Sequence, residues 1–223
     1  MNALIGDSRV RSLKFEHLNS LSENWVLPGA KIMGMEELIQ DCVIMHHGED
    51  YQGKMHVYIS AGICDLTTKL KAKNYEEIIF ESDKIDEIIL KTMSSFKSIH
   101  KLSLREDVTP VFTTIYPMSL KAWNLNRLDQ KKTSYLVHQT EYDVMQLHLE
   151  ETLEELNKFI IQLNVTTGVT TPLVHKHLVH HRGKGNTTYK YNLLCDGCHP
   201  NTHLKSKIAH SIAQAIKKNR SAN

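Results

Sequence analysis

Gly6-Asp7-Ser8 near the start of the chain and Asp196-Gly197-Cys198-His199 near its end contain the residue types of a hydrolytic triad. A serine hydroxyl becomes a nucleophile when an imidazole takes its proton and a carboxylate holds the other ring nitrogen. Ser8, His199 and Asp196 supply one of each. Asp196 precedes His199 by three residues, so one tight turn carries the carboxylate to Nδ1–H, and Gly197 permits that turn. Chain order places no restriction on such a triad, because folding assembles it. Each motif also has a plainer use. Asp7 or Ser8 can cap a helix starting near Val10, and His199 can be a loop residue before Pro200.

Other chemistry competes for the same segments. Cys195-Asp196-Gly197-Cys198-His199 is literally C-x-x-C-H, the haem c attachment pattern, but no export signal accompanies it. His177, His181, Cys195 and Cys198 form two pairs suited to tetrahedral zinc, at the cost of competing with the triad for one loop. Arg9 and Arg11 follow the serine directly. If a helix starts at Val10, they flank a mouth where an anionic substrate docks, and otherwise they are surface residues of its first turn.

These motifs need a scaffold, and strand-like and helix-like runs alternate as in a parallel sheet with helices on both faces. Ala3–Ile5, Trp25–Leu27, His56–Ala61 and Val111–Tyr116 read as strands, each ending near a motif or a breaker. Met35–His46 and Asp83–Ile99 have helical spacing, as does the final segment Thr202–Lys218, with Leu204, Ile208, Ile212 and Ile216 four apart. Between 119 and about 165 lies a long helical insertion. Its apolar residues, from Tyr142 and Met145 to Leu163, mark a helix that either packs on the sheet as a crossover or protrudes as a dimer contact over 141–163. The expectation is one α/β domain over 1–223, a three-layer α/β/α sandwich with a parallel sheet of about five strands.

At these residues the sequence resembles the SGNH (GDSL-type) hydrolases, which carry the nucleophile in a Gly-Asp-Ser block and the Asp and His in a late D-x-x-H block. The resemblance implies two further blocks. A glycine after the second strand lends an oxyanion N–H, and Gly29 in Val26-Leu27-Pro28-Gly29-Ala30 stands there. A G-x-N-D block after the third strand is matched by Gly62-Ile63-Cys64-Asp65, with Cys64 where the family has its oxyanion asparagine and Asp65 beside it on the substrate side. The implied oxyanion hole is Ser8, Gly29 and Cys64. A thiol is a weaker donor than an amide, so the implied activity is a serine esterase, attenuated at one position and needing no cofactor. The runs 62–67 and 191–197 are similar to SGNH-type domains found beside reverse transcriptases in animal mobile elements. That likeness implies an accessory module, acting on lipids or in nucleoprotein assembly, which leaves a non-catalytic binding role as the alternative.

The chain's composition suits a soluble globular protein: 223 residues, 41% hydrophobic and 23% charged. No stretch approaches the 18 or so uninterrupted apolar residues of a membrane span, and no secretory leader precedes the first strand. The four cysteines lack the spacing of a secreted disulfide framework, so an intracellular, cytoplasmic setting is expected. Net charge is +2, but it is unevenly spread: residues 141–155 carry six carboxylates and no Lys or Arg, whereas 174–190 and 203–220 are basic. Arg9, Arg11, Arg182, Lys184, Lys190 and nearby histidines are expected to gather near the triad and bind nucleic acid weakly.

Overall fold

The computed structural model describes residues 2–15, 21–47, 54–182 and 186–221. Four parallel strands form its central sheet: β1 (Asn2–Gly6), β2 (Leu21–Val26), β3 (Met55–Ser60) and β6 (Val108–Phe112), in the order β2-β1-β3-β6. Alternation along each strand sends side chains to opposite faces. Ala3, Ile5, Val57, Ile59 and Phe112 point into one core with helices α1 (Met35–His47), α3 (Ile85–His100) and α5 (Tyr142–Thr166). Leu4, Tyr58 and Val111 point into the other, covered by α6 (Thr202–Ser221) through Leu204, Ile208, Ile212 and Ile216. The architecture is therefore α/β/α, with the expected helices on both faces.

The long helix packs on the sheet. Met145, Leu149, Leu153, Leu156, Ile160 and Leu163 of α5 are buried in the chain's own core, so this stripe is not offered to a second copy. A shorter helix, α4 (Leu120–Asp129), precedes it, and the one-turn α2 (Ile63–Leu66) follows β3. Two antiparallel hairpins flank the sheet: β4 (Thr68–Ala72) with β5 (Tyr75–Ile79), and β7 (Val179–Arg182) with β8 (Asn186–Tyr189).

The sheet has four strands among the described residues where about five were expected, and the reason lies in how the chain beyond β6 finds its partners. Asn164 of α5 accepts from Phe112 N (3.0 Å) and donates to Phe112 O (2.7 Å). Asn157, two turns earlier, does the same for Ile115 at 2.7 and 2.8 Å. Between them Thr114 N donates to Pro172 O, and Pro172 has no N–H to return. Side-chain amides from a helix thus pair the backbone of Phe112 and Ile115 as a fifth strand would. The same pairing recurs where Asn124 of α4 accepts from Ile78 N and donates to Ile78 O.

Candidate active site

Ser8 stands just past the C-terminal end of β1, where the chain makes a three-residue 3₁₀ turn, Ser8–Val10, and not the helix expected from Val10 onward. Gly6 makes that turn possible: a Cβ there would lie 2.5 Å from a Val10 methyl and 2.7 Å from the Ser60 carbonyl oxygen. Asp7 fixes the turn from below. Its Oδ1 accepts from Arg9 N (2.9 Å), and its carboxylate accepts from Arg9 Nε at 3.2 and 3.1 Å and from a terminal guanidinium nitrogen at 3.0 Å. Arg9 also donates to Tyr116 O (3.0 Å) and lies over the Tyr116 ring.

The far end of the chain meets this turn. Cys195 N donates to His199 O and Asn201 N to Leu193 O, which closes 195–199 into a tight loop. Asn201 then caps α6 by accepting from Leu204 N (2.9 Å). At the tip of the loop Gly197 has φ +85°, and a Cβ on it would lie 2.4 Å from Trp123 N and 2.8 Å from Ser119 O. The loop is thereby seated on the start of α4, and Ser119 N donates to Gly197 O at 2.7 Å.

Within this frame Ser8 Oγ is 2.9 Å from His199 Nε2, and His199 Nδ1 is 2.7 Å from Asp196 Oδ2. The other carboxylate oxygen, Asp196 Oδ1, accepts from Cys198 N (3.0 Å) and His199 N (2.8 Å). Burial opposes the charge on Asp196, but the imidazole and the two amides outweigh it and hold its carboxyl well below the usual range. Asp196 is therefore a carboxylate at neutral pH, and it accepts a hydrogen bond from a proton on His199 Nδ1.

Gly29 and Cys64 lie at this same end of the sheet. Gly29 follows β2, whose last residue Val26 is in register with Gly6, and Leu27 N donates to Gly6 O. Cys64 lies four residues beyond Ser60, which is in register with Gly6 and accepts from Asp7 N. Burial pushes the Cys64 thiol up to about 11, and the neighbouring Asp7 and Asp65 carboxylates add to it, so it is a neutral S–H at neutral pH.

Two expected substrate residues have other employment. Arg9 is 2% exposed and locked to Asp7, so it does not face an anion at the mouth. Its surface placement presumed a helix that the 3₁₀ turn replaces; Arg11 alone of the two is exposed. Asp65 accepts from Ile32 N with both oxygens (3.2 and 3.0 Å), tying the segment after Gly29 to α2. Burial pushes its carboxyl up to about 6, although the Ile32 amide pulls the other way. Sequence reasoning missed the Asp7–Arg9 pair and the Ser119–Trp123 seat. The first was signalled by the i, i+2 spacing of opposite charges, the second by nothing local.

The zinc alternative includes His181, whose side chain lies outside the described residues. Among the described residues no three or more His, Cys, Asp or Glu side chains converge as metal ligands. His177 is bonded to Ser211 Oγ at 2.7 Å, and Cys195 is exposed while Cys198 is largely covered beside Arg9. Of the basic cluster expected near the triad, Arg9 is buried, Arg11 and Lys190 are exposed, and Lys184 and the side chains of Arg182 and His181 lie outside the described residues. No helix among the described residues is long and apolar enough to cross a membrane.

No protein-family model and no curated protein sequence matches this chain. Solved structures do. A GDSL-like lipase from Bacteroides thetaiotaomicron superposes with a TM-score of 0.63 at 14% identity, over 98% of this chain and 88% of the other. The fold is that of the GDSL hydrolases. The OSK domain of Drosophila Oskar is similar at a TM-score of 0.56, 12% identity, 96% of this chain and 87% of that one. A catalytic mutant of an acetylxylan esterase from Geobacillus stearothermophilus gives 0.51 at 13% identity, over 96% and 93%. The GDSL fold thus hosts this Ser, His and Asp at the C-terminal ends of its strands, where open α/β sheets hold their ligands.

Proposed function

We propose that this chain is a serine hydrolase of carboxylic esters, with Ser8 as nucleophile, His199 as general base and acid, and Asp196 as the group that orients His199. The observation that carries the reading is the unbroken hydrogen-bond line from Ser8 Oγ through the imidazole to Asp196, at 2.9 and 2.7 Å. Ser8 Oγ attacks the acyl carbon while its proton passes to His199 Nε2. The carbonyl oxygen becomes an oxyanion, met by the N–H groups of Ser8 and Gly29 and the thiol of Cys64. Collapse of this intermediate breaks the ester C–O bond, and the imidazolium protonates the departing alcohol. Water, deprotonated by His199, then attacks the acyl-Ser8 ester and releases the acid.

Cys64 sets the rate. A buried neutral thiol donates weakly, and losing one good oxyanion donor costs roughly a hundredfold to a thousandfold. The enzyme is accordingly slow but complete. Hydrolysis of p-nitrophenyl butyrate by the wild type and by Ser8→Ala tests the reading, together with fluorophosphonate labelling of Ser8. Equal rates in the two proteins with no label on Ser8 would refute it and leave the fold as a binding scaffold.

A further inference from the structure

Six described cations are paired with carboxylates: Arg9 with Asp7, Lys69 and Arg127 with Glu76, Lys84 with Glu81, Arg105 with Asp107, Lys158 with Glu154. One surface gathers unpaired cations along a groove. Helix α6 carries Lys205, Lys207, Lys217, Lys218 and Arg220 and contains no Asp or Glu. Its outer side forms one wall of a groove of about 800 Å³, whose other wall is the segment after the nucleophile turn. Lys14, Lys205, His210 and Lys217 line it, and among the described residues no carboxylate lines it and none of the three lysines has an ion-pair partner.

The shape of this charge selects its ligand. Lys205 and Lys217 are twelve positions apart on one helix, about 18 Å at the helical rise, which is too far for one small anion and right for a chain of them. The hydroxyl groups of Ser12, Thr202 and Ser206 line the same groove as neutral donors for phosphate oxygens. Phe15, half-buried against the α6 core, offers an aromatic ring to a base. A concave trough takes one strand, whereas a duplex or a flat membrane would rest on its rims.

We infer that this groove binds the phosphodiester backbone of single-stranded nucleic acid along α6, using Lys14, Lys205 and Lys217 as phosphate contacts. Both walls leave the triad segments within a few residues, Ser12 after Ser8 and Thr202 after His199, but binding needs none of the triad's chemistry.

Fluorescence anisotropy of a labelled 20-nucleotide oligouridylate with the full chain tests this. Three phosphate contacts predict a log–log salt slope of about −2 for a single strand. The double variant Lys205→Glu/Lys217→Glu is expected to weaken binding at least tenfold at 50 mM salt, and the milder Lys205→Ala/Lys217→Ala several-fold, each with an unchanged circular dichroism melt. Phe15→Ala should weaken oligouridylate more than it weakens inorganic polyphosphate. Ser8→Ala should bind as the wild type does, so a failed esterase assay does not touch this proposal. Reversing the exposed Lys73 and Lys101, far from the groove in sequence, should leave affinity intact. No binding at 50 mM salt overturns the inference. So does an equal loss from the Lys73/Lys101 reversal, or tight binding to phosphatidylserine vesicles that the oligonucleotide cannot displace.

Discussion

Two carboxylate–histidine pairs in this protein look alike but stand in different surroundings. Asp196 accepts from His199 Nδ1 at the end of the sheet, with its side chain 27% exposed. Glu77 of β5 accepts from His138 Nδ1 at 3.2 Å, but its side chain is wholly buried. Glu77 also accepts from the hydroxyls of Tyr75 and Tyr142 and from the backbone N–H of Val137 and His138. Burial opposes its charge, and the two tyrosines and His138 together outweigh that and hold the carboxyl below its usual range. The second nitrogen of His199 meets Ser8, whereas the second nitrogen of His138 has no hydrogen-bond partner among the described residues. A carboxylate beside an imidazole is thus not yet chemistry. What stands on the far side of the ring decides whether the pair moves a proton or pins a hairpin to a helix.

Breaking each pair separately sharpens that contrast. Ser8→Ala, or Asp196→Asn with its wrong imidazole tautomer, should lower kcat for p-nitrophenyl butyrate by about 10³-fold or more while leaving the melting temperature nearly unchanged. Glu77→Ala should do the reverse. Five donors lose their acceptor, stability falls by about 3 kcal/mol, and kcat measured well below the melting transition stays within a few-fold of wild type. A matching loss of kcat in folded Glu77→Ala would mean that the hairpin belongs to the site. Acid titration tests the buried pair. The stabilisation from Glu77 is fully present above its unfolded value and is lost as pH falls, so Glu77→Gln should flatten the acid limb of a stability–pH curve.

Smaller effects test the frame around the triad. Gly197→Ala should displace His199 from Ser8 and cost roughly a hundredfold in kcat, because the new methyl meets the α4 backbone at a positive φ. Cys64→Asn is expected to raise kcat about tenfold or more with little change in KM, since the added donor acts mainly in the transition state. An unchanged rate would remove Cys64 from the oxyanion hole. Asp65 has the opposite sign to Glu77. Its folded value is raised to about 6, so its favourable contribution is present at low pH and lost as pH climbs through 6. Asp65→Asn, which can still accept from Ile32 N, should therefore gain up to about 2 kcal/mol relative to wild type between pH 4 and pH 8.

Much of this was legible in the residues. The apolar period of α6 and the i, i+3 spacing of Asp196 and His199 are local, and local patterns survive folding. The triad contact itself joins two short motifs at opposite ends of the chain, and their identity carried it. What escaped was long-range. Glu77 and His138 are 61 positions apart, and β4–β5 alternates charged with half-buried residues, which gives no apolar signal. The strand expected at Val111–Tyr116 is Val108–Phe112: Thr113 N still donates to Ile59 O of β3, but beyond it Thr114 bonds to Pro172 and Ile115 to Asn157. The sequence places Arg9 at a substrate mouth or on the first turn of a helix; it is buried, and the carboxylate two residues earlier explains that burial.

The asparagines on α5 have a metrical consequence. Seven residues of helix advance about 10.5 Å, and three residues of extended chain advance about 10 Å. Asn164 and Asn157 are seven apart and grip Phe112 and Ile115, which are three apart and run the other way. The two rulers agree only at this pairing, like the marks of a vernier. A single-residue insertion between Asn157 and Asn164 would rotate one amide by about 100° and slide it 1.5 Å, so α5 can lengthen at its ends but not between these two marks.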